Sequence, residues 1–238
     1  MGNIKKTSGF SRLLFFNALI AALFFLSTAL PAAAEDAAEE QQLVDKALIT
    51  FKYFMYSPGM DYFREHLEDT KAILIVPSFI KVGFVFGGAG GSGVLLARDE
   101  KTGEWSDPAF YTIGSGSLGF QIGAQRSQMI LLIKSQKVVE SLYASSFKLG
   151  GDISVAAGPD GSGAAAKGLN ADIVSFARST WAYVGMSFDG TVFGTKDKSN
   201  QAYYGKTVRP IDIFVLHNVS NPHSTELREV IAEATKSP

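Results

Sequence analysis

The stretch GFVFGGAGGSGVL, Gly83 to Leu95, places six glycines within eleven residues directly after a strand-like run. It contains one copy of the dinucleotide-binding fingerprint, Gly88-x-Gly90-x-x-Gly93, whose third glycine should open a helix that receives a pyrophosphate. The sequence continues as VLLARDEKTGEW, a short apolar run followed by a polar turn. Because no helix fits this continuation, the stretch predicts strands joined by a turn, and nucleotide binding is not expected.

A second copy of the pattern, Gly114-x-Gly116-x-x-Gly119, shows how readily a chain with 24 glycines produces it. The segment AFYTIGSGSLGF contains no acidic residue at the distance where a ribose-binding carboxylate is needed. No Gly-Lys-Ser/Thr follows the glycines, which excludes a Walker A loop. The glycines are therefore expected to mark bulges, tight bends and close approaches of two backbones or a ligand, and no cofactor is expected.

On both sides of the opening stretch, short runs rich in branched and aromatic residues predict β-strands. These runs are too closely spaced for βαβ units. Helical periodicity predicts helices at residues 39–56, 60–68 and 135–145 and after Asn221. The expected fold class is α+β, with an antiparallel β-sheet or partly closed barrel and with N-terminal, central and C-terminal helices.

The first 34 residues have the features of a secretory signal: a basic start, an 18-residue apolar run from Leu13 to Leu30, and three alanines before Glu35. Cleavage after Ala34 is expected to leave one domain, residues 35–238. The alternative is an uncleaved anchor, because 18 apolar residues reach the lower limit for crossing a bilayer. The protein is expected to be exported, and periplasmic or in the cell envelope if it comes from a Gram-negative bacterium.

Charge and composition exclude several classes of function. The signal segment contains three basic residues and no acidic one, so the chain without it has 19 Lys and Arg against 23 Asp and Glu, a net charge of −4. Nucleic acid is not an expected partner, because no basic excess is available to replace the counterions on phosphates. The chain has no cysteine, which excludes disulfides and thiol catalysis.

The sequence offers no recognisable catalytic or metal-binding motif. There is no Gly-x-Ser-x-Gly nucleophile elbow. The three histidines, His66, His217 and His223, are dispersed and form neither HExxH nor a close ligand pair. No catalytic residue and no metal site is therefore predicted.

A series of short motifs extends through almost the whole chain after the signal segment, from Leu43 to Ala234. The motifs are Lys71-Ala72-Ile73, Ile75-Val76-Pro77, Lys81-Val82-Gly83-Phe84, the glycines of the opening stretch with Val94 and Arg98, Trp105-Ser106-x-Pro108, Gly119-x-Gln121-x-Gly123, Gly150-Gly151-Asp152, Gly158-Pro159, Ile173 to Gly194, and Asn200 with Tyr203-Tyr204-Gly205. In order and spacing they resemble the SYLF domain family.

The resemblance implies a non-enzymatic protein that binds phospholipid or a membrane surface. Eukaryotic members of the family are joined to SH3 or FYVE domains, associate with phosphoinositides and regulate actin patches, whereas bacterial members are exported phospholipid-binding proteins. Because a signal segment is predicted here, actin is not an expected partner. The chain departs from the family pattern at Ala89 and Ser92, where a basic residue is common, and at Phe176 and Trp181.

A lipid site needs apolar area for affinity and a local cation for orientation. The candidate headgroup-binding cations are Lys81, Arg98, Arg126 and Arg178, which lie in or beside the matched strands. Each is alternatively an exposed charge that protects a sheet edge. The candidate backbone anion loop consists of Gly87, Gly88, Gly90, Gly91 and Gly93, whose successive N–H groups would face a phosphate oxygen.

Three alternatives remain open at this stage. The first helix, with Phe51, Phe54 and Met55 on its apolar face, either contacts the membrane or packs on the sheet; its acidic start favours packing. The protein is alternatively an envelope adaptor that binds another protein through a sheet edge. It is alternatively a small hydrolase whose site is scattered over several strands.

Overall fold

A computed structural model describes residues 32–83, 86–118, 123–158, 171–179, 188 and 190–236. Eight strands and six α-helices are formed by these residues. In chain order they are α1 (Ala32–Tyr56), α2 (Asp61–Glu65), β1 (Ala72–Gly83), β2 (Phe86–Ala97), β3 (Ala109–Leu118), β4 (Gly123–Ile133), α3 (Gln136–Ser141), β5 (Ser146–Lys148), β6 (Val155–Gly158), β7 (Ile173–Ser179), β8 (Val192–Thr195), α4 (Asp197–Tyr204), α5 (Pro210–Phe214), a 3-10 turn (Pro222–Ser224) and α6 (Thr225–Ala234).

The eight strands form one sheet in the order β5-β8-β3-β2-β1-β4-β7-β6. Neighbouring strands are antiparallel, except for β6 and β7, which are parallel. A parallel pair needs a crossover of about a dozen residues, and the chain between Gly158 and Ile173 is long enough to provide it. The predicted α+β class is confirmed, with one parallel pair at the edge of an otherwise antiparallel sheet.

Both sides of the central strands are buried at one end of the sheet. On one side, here named the α1 side, α1, α2, α4 and α6 cover alternate residues such as Ile73, Ile75 and Val94. On the opposite α3 side, α3 and α5 cover the residues between them, such as Leu74 and Leu95. Burial on both faces explains the continuous apolar runs in the sequence, because neither face of these strands meets water.

Helix α1 packs into the core with the apolar face that the sequence placed on it. Phe51 and Phe54 are fully buried, and their rings lie 5.9 and 5.7 Å from the ring of Phe63 in α2. Packing on the sheet is therefore confirmed for this face. The helix begins seven residues before the predicted start, in an alanine-rich segment with high helix propensity.

The signal segment lies almost entirely outside the described residues. The predicted cleavage site after Ala34 falls within the first turn of α1, and cleavage stays a prediction. Across the described part of the chain, no helix combines the length and the apolar character needed to cross a membrane.

Strand β1 is one bulged strand where the sequence suggested two. The register of β1 shifts between Ile75 and Ser78 against β2, and between Val76 and Phe79 against β4. Pro77 lies at this shift. Proline has no N–H to donate to a neighbouring strand, and for that reason it is tolerated within a sheet at a bulge. Because of the extra residue, odd-numbered side chains face the α1 side before the bulge. After the bulge, even-numbered side chains such as those of Ile80 and Val82 face it.

Candidate functional site

The α1 side of the sheet continues beyond the helices as a surface with few side chains. At the border of this surface, α1 contacts Gln128, whose Nε2 donates to Thr50 Oγ1 at 3.4 Å, and Arg178, whose guanidinium lies 3.9 Å from the centre of the Tyr53 ring. The next two rows across the strands form the surface named here the glycine face. Its rows are Arg126, Ile80, Gly90, Gly114, Val192 and Lys148, and then Ala124, Val82, Gly88 and Gly116.

The glycine face exposes branched apolar side chains. The exposed fractions of Ile80, Val82 and Val192 are 40%, 50% and 41%, whereas Ile73 and Ile75 on the same side of β1 are fully buried. A cleft of about 420 Å³ lies against β3 and β8 beside Val192, within the size range of small-molecule sites. The cleft is lined by Thr112, Ile113, Gly114, Ser115, Gly116, Gly190, Val192 and Gly194.

The glycines of the sheet fall into two groups with different surroundings. A Cβ atom added to Gly91 would lie 2.5 Å from the Ser78 carbonyl oxygen, and one added to Gly93 would meet the Ile75 carbonyl oxygen even more closely. These two glycines face the bulge of β1. Their positions agree with the prediction that glycines mark bulges and close approaches of two backbones. A Cβ atom at Gly88 or Gly114 would meet nothing nearer than 3.9 or 3.8 Å, and one at Gly116 nothing within 4 Å.

Two of the four predicted cations lie close together on the α1 side. Arg126 is exposed on the glycine face. Arg178 pairs with Gln128, two residues along β4 from Arg126, and it is held against Tyr53. Neither arginine forms an ion pair with any described carboxylate.

The other two predicted cations lie elsewhere. Lys81 points to the α3 side, since it alternates with Ile80 and Val82. Arg98 lies at the opposite end of β2, about 30 Å from the residue that pairs with Lys81. Its guanidinium donates to the carbonyl oxygens of Gly103 and Glu68 at 3.2 and 3.3 Å. Arg98 therefore has a structural role in the turn after β2, and the structure does not place it with the other cations.

The predicted anion loop is part of a strand. Gly87, Gly88, Gly90, Gly91 and Gly93 all lie in β2, which pairs with β1 on one side and with β3 on the other. Successive N–H groups of such a strand point toward opposite neighbours and donate to the ladders. The loop geometry expected from the sequence was therefore wrong, because β1 and β3 pair with β2 along the glycines as well as along Val94 and Leu95.

Lys148 is a surface cation that the sequence analysis missed. It is exposed at the end of β5 and pairs with Val192 of β8, which brings it to the edge of the glycine face. Strands β5 and β8 have only three and four residues. Such short strands, distant in sequence, carry no pattern from which their pairing is predictable.

Histidines and carboxylates away from the glycine face serve structural contacts. Burial lowers the pKa of His66, whose ring nitrogen Nδ1 lies 3.0 Å from the Tyr62 carbonyl oxygen. The N–H groups of Thr102 and Lys101 lower the pKa of Asp99 to about 2. Within the described ranges, no three histidine or carboxylate side chains are grouped to hold a metal ion.

Comparison with known proteins places the chain in a family. The family described as "Ysc84: Las17-binding protein actin regulator" matches residues 114–234, slightly more than half of the chain. The human SH3 domain-containing YSC84-like protein 1 is 28% identical over 167 residues, which cover 68% of this chain and 48% of that protein. No solved structure gives a significant match.

Two fungal proteins show similar levels of identity. The SH3 domain-containing protein PJ696.02 of Schizosaccharomyces pombe is 31% identical over 137 residues, 55% of this chain and 32% of that protein. LAS seventeen-binding protein 3 of Saccharomyces cerevisiae is 30% identical over 145 residues, 58% of this chain and 31% of that protein. The chain thus spans about a third to a half of the length of these relatives. With the family match to residues 114–234, the chain belongs to the Ysc84 family, the SYLF family that its motifs resemble.

Proposed function

We propose that this chain is a non-enzymatic, exported phospholipid-binding protein of the cell envelope and that the glycine face is its membrane-contacting surface. The observation that carries the proposal is the arrangement of Ile80, Val82 and Val192, exposed between the cations Arg126 and Lys148. None of the ten residues of this face is acidic. The family's description as a regulator supports a binding role over catalysis.

The two kinds of side chain on this face have separate effects. Branched apolar side chains at the boundary between headgroups and acyl chains contribute affinity in proportion to their buried area. A basic residue near an anionic bilayer contributes about 1 kcal/mol, and this contribution falls within a Debye length. Because the chain as a whole is slightly acidic, binding to anionic lipid depends on this local pair of cations and not on net charge.

The proposal is tested by flotation of the purified chain with vesicles. We expect the chain to float with vesicles of phosphatidylglycerol and phosphatidylcholine, and to float less with phosphatidylcholine alone. Raising the salt concentration should weaken flotation with the anionic vesicles, since exposed charges are screened. A chain that stays at the bottom of the gradient with both kinds of vesicle would contradict the proposal.

Protein binding is the second candidate function. It is favoured by the family description and by the name of the yeast relative, LAS seventeen-binding protein 3. Among the described strands, β5 and β6 lie at the two ends of the sheet order, and an edge strand can bind an added strand through its backbone groups. Native mass spectrometry after mild purification separates the candidates, because it detects either a phospholipid or a stoichiometric protein partner. The expectation that actin is not a partner stays a prediction.

A further inference from the structure

Three glycines of the glycine face are not explained by the fold of the described residues. Gly88, Gly114 and Gly116 have none of the positive φ angles that favour glycine, and an added Cβ would meet nothing nearer than 3.8 Å. Glycine in a strand destabilises it by about 0.5–1 kcal/mol relative to alanine. Glycines in such positions are typical of a place where a ligand comes close to the backbone.

The missing side chains leave a trough in the sheet surface. Its floor is formed by Gly88, Gly90, Gly114 and Gly116, on the neighbouring strands β2 and β3. Its walls are the exposed side chains of Ile80 and Val82 on β1 and of Val192 on β8. The walls stand about 14 Å apart between backbones, three strand spacings, and the cleft of about 420 Å³ lies against the β8 wall.

The chemistry of the trough favours a hydrocarbon chain over a peptide. Strand β2 uses its backbone groups in ladders with β1 and β3, and β3 is paired with β2 along its length and with β8 from Tyr111 to Gly114. A peptide laid on this face would therefore lose water from its own N–H and C=O groups with few partners to replace it, which is unfavourable. An acyl chain has no hydrogen bonds to satisfy, and it gains free energy for each methylene removed from water.

The cations beside the trough indicate what the hydrocarbon is attached to. Lys148 is exposed next to Val192, and its Cε would lie 3.8 Å from a Cβ atom added to Gly190, one of the cleft residues. Lys148 makes no ion pair with a carboxylate of the described residues. An anionic group attached to the hydrocarbon chain, such as the phosphate of a phospholipid, would have Lys148 as its counter-ion.

We infer that the trough holds one acyl chain of a single phospholipid, with the phosphate of that lipid at Lys148. The inference rests on the proposed membrane function and extends it: the protein carries a lipid in addition to touching a bilayer. The tail lies over Gly114 and Gly116 between the two apolar walls. Arg126, beyond the Ile80 wall, remains available to headgroups of the bilayer.

The test fills the trough without changing the charges around it. Gly114→Leu and Gly116→Leu place a side chain where the tail would lie, and Gly151→Leu is the matched control, because a Cβ there also meets nothing within 4 Å. Each full chain is incubated with phosphatidylglycerol vesicles, separated from them and examined by native mass spectrometry. We expect one phospholipid per wild-type chain and per Gly151→Leu chain, and at least a tenfold lower occupancy in the filled variants.

Thermal melting and vesicle flotation separate the remaining outcomes. We expect the filled variants to melt at or above the wild-type temperature, because leucine replaces an unfavourable strand glycine. A marked fall in their melting temperature would mean that a segment of the chain itself occupies the trough, and it would overturn the inference. Full lipid occupancy in the filled variants would overturn it as well. If the wild type floats with vesicles but carries no lipid, the inference alone fails; if it does not float, the proposed function fails.

Discussion

At the residue scale, the sequence pattern around Gly91 and Gly93 is explained by Pro77 on the neighbouring strand. The bulge at Pro77 pushes carbonyl oxygens of β1 toward β2, so that a side chain at either glycine would meet backbone atoms. A bulge, a proline and facing glycines therefore form one local device. Gly93, the third glycine of the nucleotide-binding fingerprint, therefore serves the close packing of two strands.

We expect Gly91→Ala and Gly88→Ala to differ in their effect on the free energy of unfolding. Gly91→Ala places a Cβ atom 2.5 Å from the Ser78 carbonyl oxygen and 2.8 Å from Val76 Cγ1, whereas Gly88→Ala places one 3.9 Å from its nearest neighbour. We expect Gly91→Ala to lower the free energy of unfolding by about 1–3 kcal/mol, as overpacking does. Urea denaturation measures the difference. Equal unfolding midpoints for the two variants would refute this account of Gly91.

At the element scale, the C-terminal helix is held to the β2–β3 connection by one buried carboxylate. The Asp107 side chain accepts hydrogen bonds from Ser224 Oγ at 2.7 Å, from the Asn221 N–H at 3.0 Å and from Arg228 at 3.1 Å. Its side chain is only 6% exposed. Because α6 also packs Leu227 and Ile231 against α1, this contact fixes the helical layer that stops short of the glycine face.

Removal of this carboxylate should loosen the C-terminal segment. We expect Asp107→Ala to lower the free energy of unfolding by about 2–3 kcal/mol, since three donors, one of them charged, lose their acceptor. Asp69→Ala is the matched control, because Asp69 pairs with Lys134 at 3.4 Å but its side chain is 72% exposed; its effect should stay below about 1 kcal/mol. Denaturant unfolding of both variants tests the difference, and similar losses would contradict it.

The elements also show which features a sequence can predict. The strands with apolar runs, the helix with Phe51 and Phe54, and the α+β class follow from local periodicity, which one chain segment carries by itself. The continuity of β1 through Pro77 was missed, because proline ordinarily ends a strand and only its neighbours on both sides keep it within the sheet. The position of Lys148 was missed, because it depends on the pairing of β5 with β8.

At the scale of the whole molecule, the sheet has two regions with different surfaces. At one end, helices cover both faces and the central strands are fully buried. At the other end, the α1 side of the same strands carries glycines, exposed branched side chains and flanking cations. The packed core at the covered end stabilises the fold, so the uncovered end tolerates glycines, which weaken a strand. In the proposed function, lipid contact belongs to this uncovered part of the α1 side.

The most direct measurement is the affinity of charge-reversed chains for phosphatidylglycerol vesicles at low salt. Arg126→Glu with Lys148→Glu reverses the two cations of the glycine face, and Lys101→Glu with Lys206→Glu makes the same change in net charge at exposed sites outside it. Since each basic residue near the surface contributes about 1 kcal/mol, we predict at least a tenfold loss of affinity for the first pair and less than about a threefold loss for the second. Wild-type affinity in the first pair, or equal losses in both pairs, would contradict the assignment of the glycine face as the membrane-contacting surface.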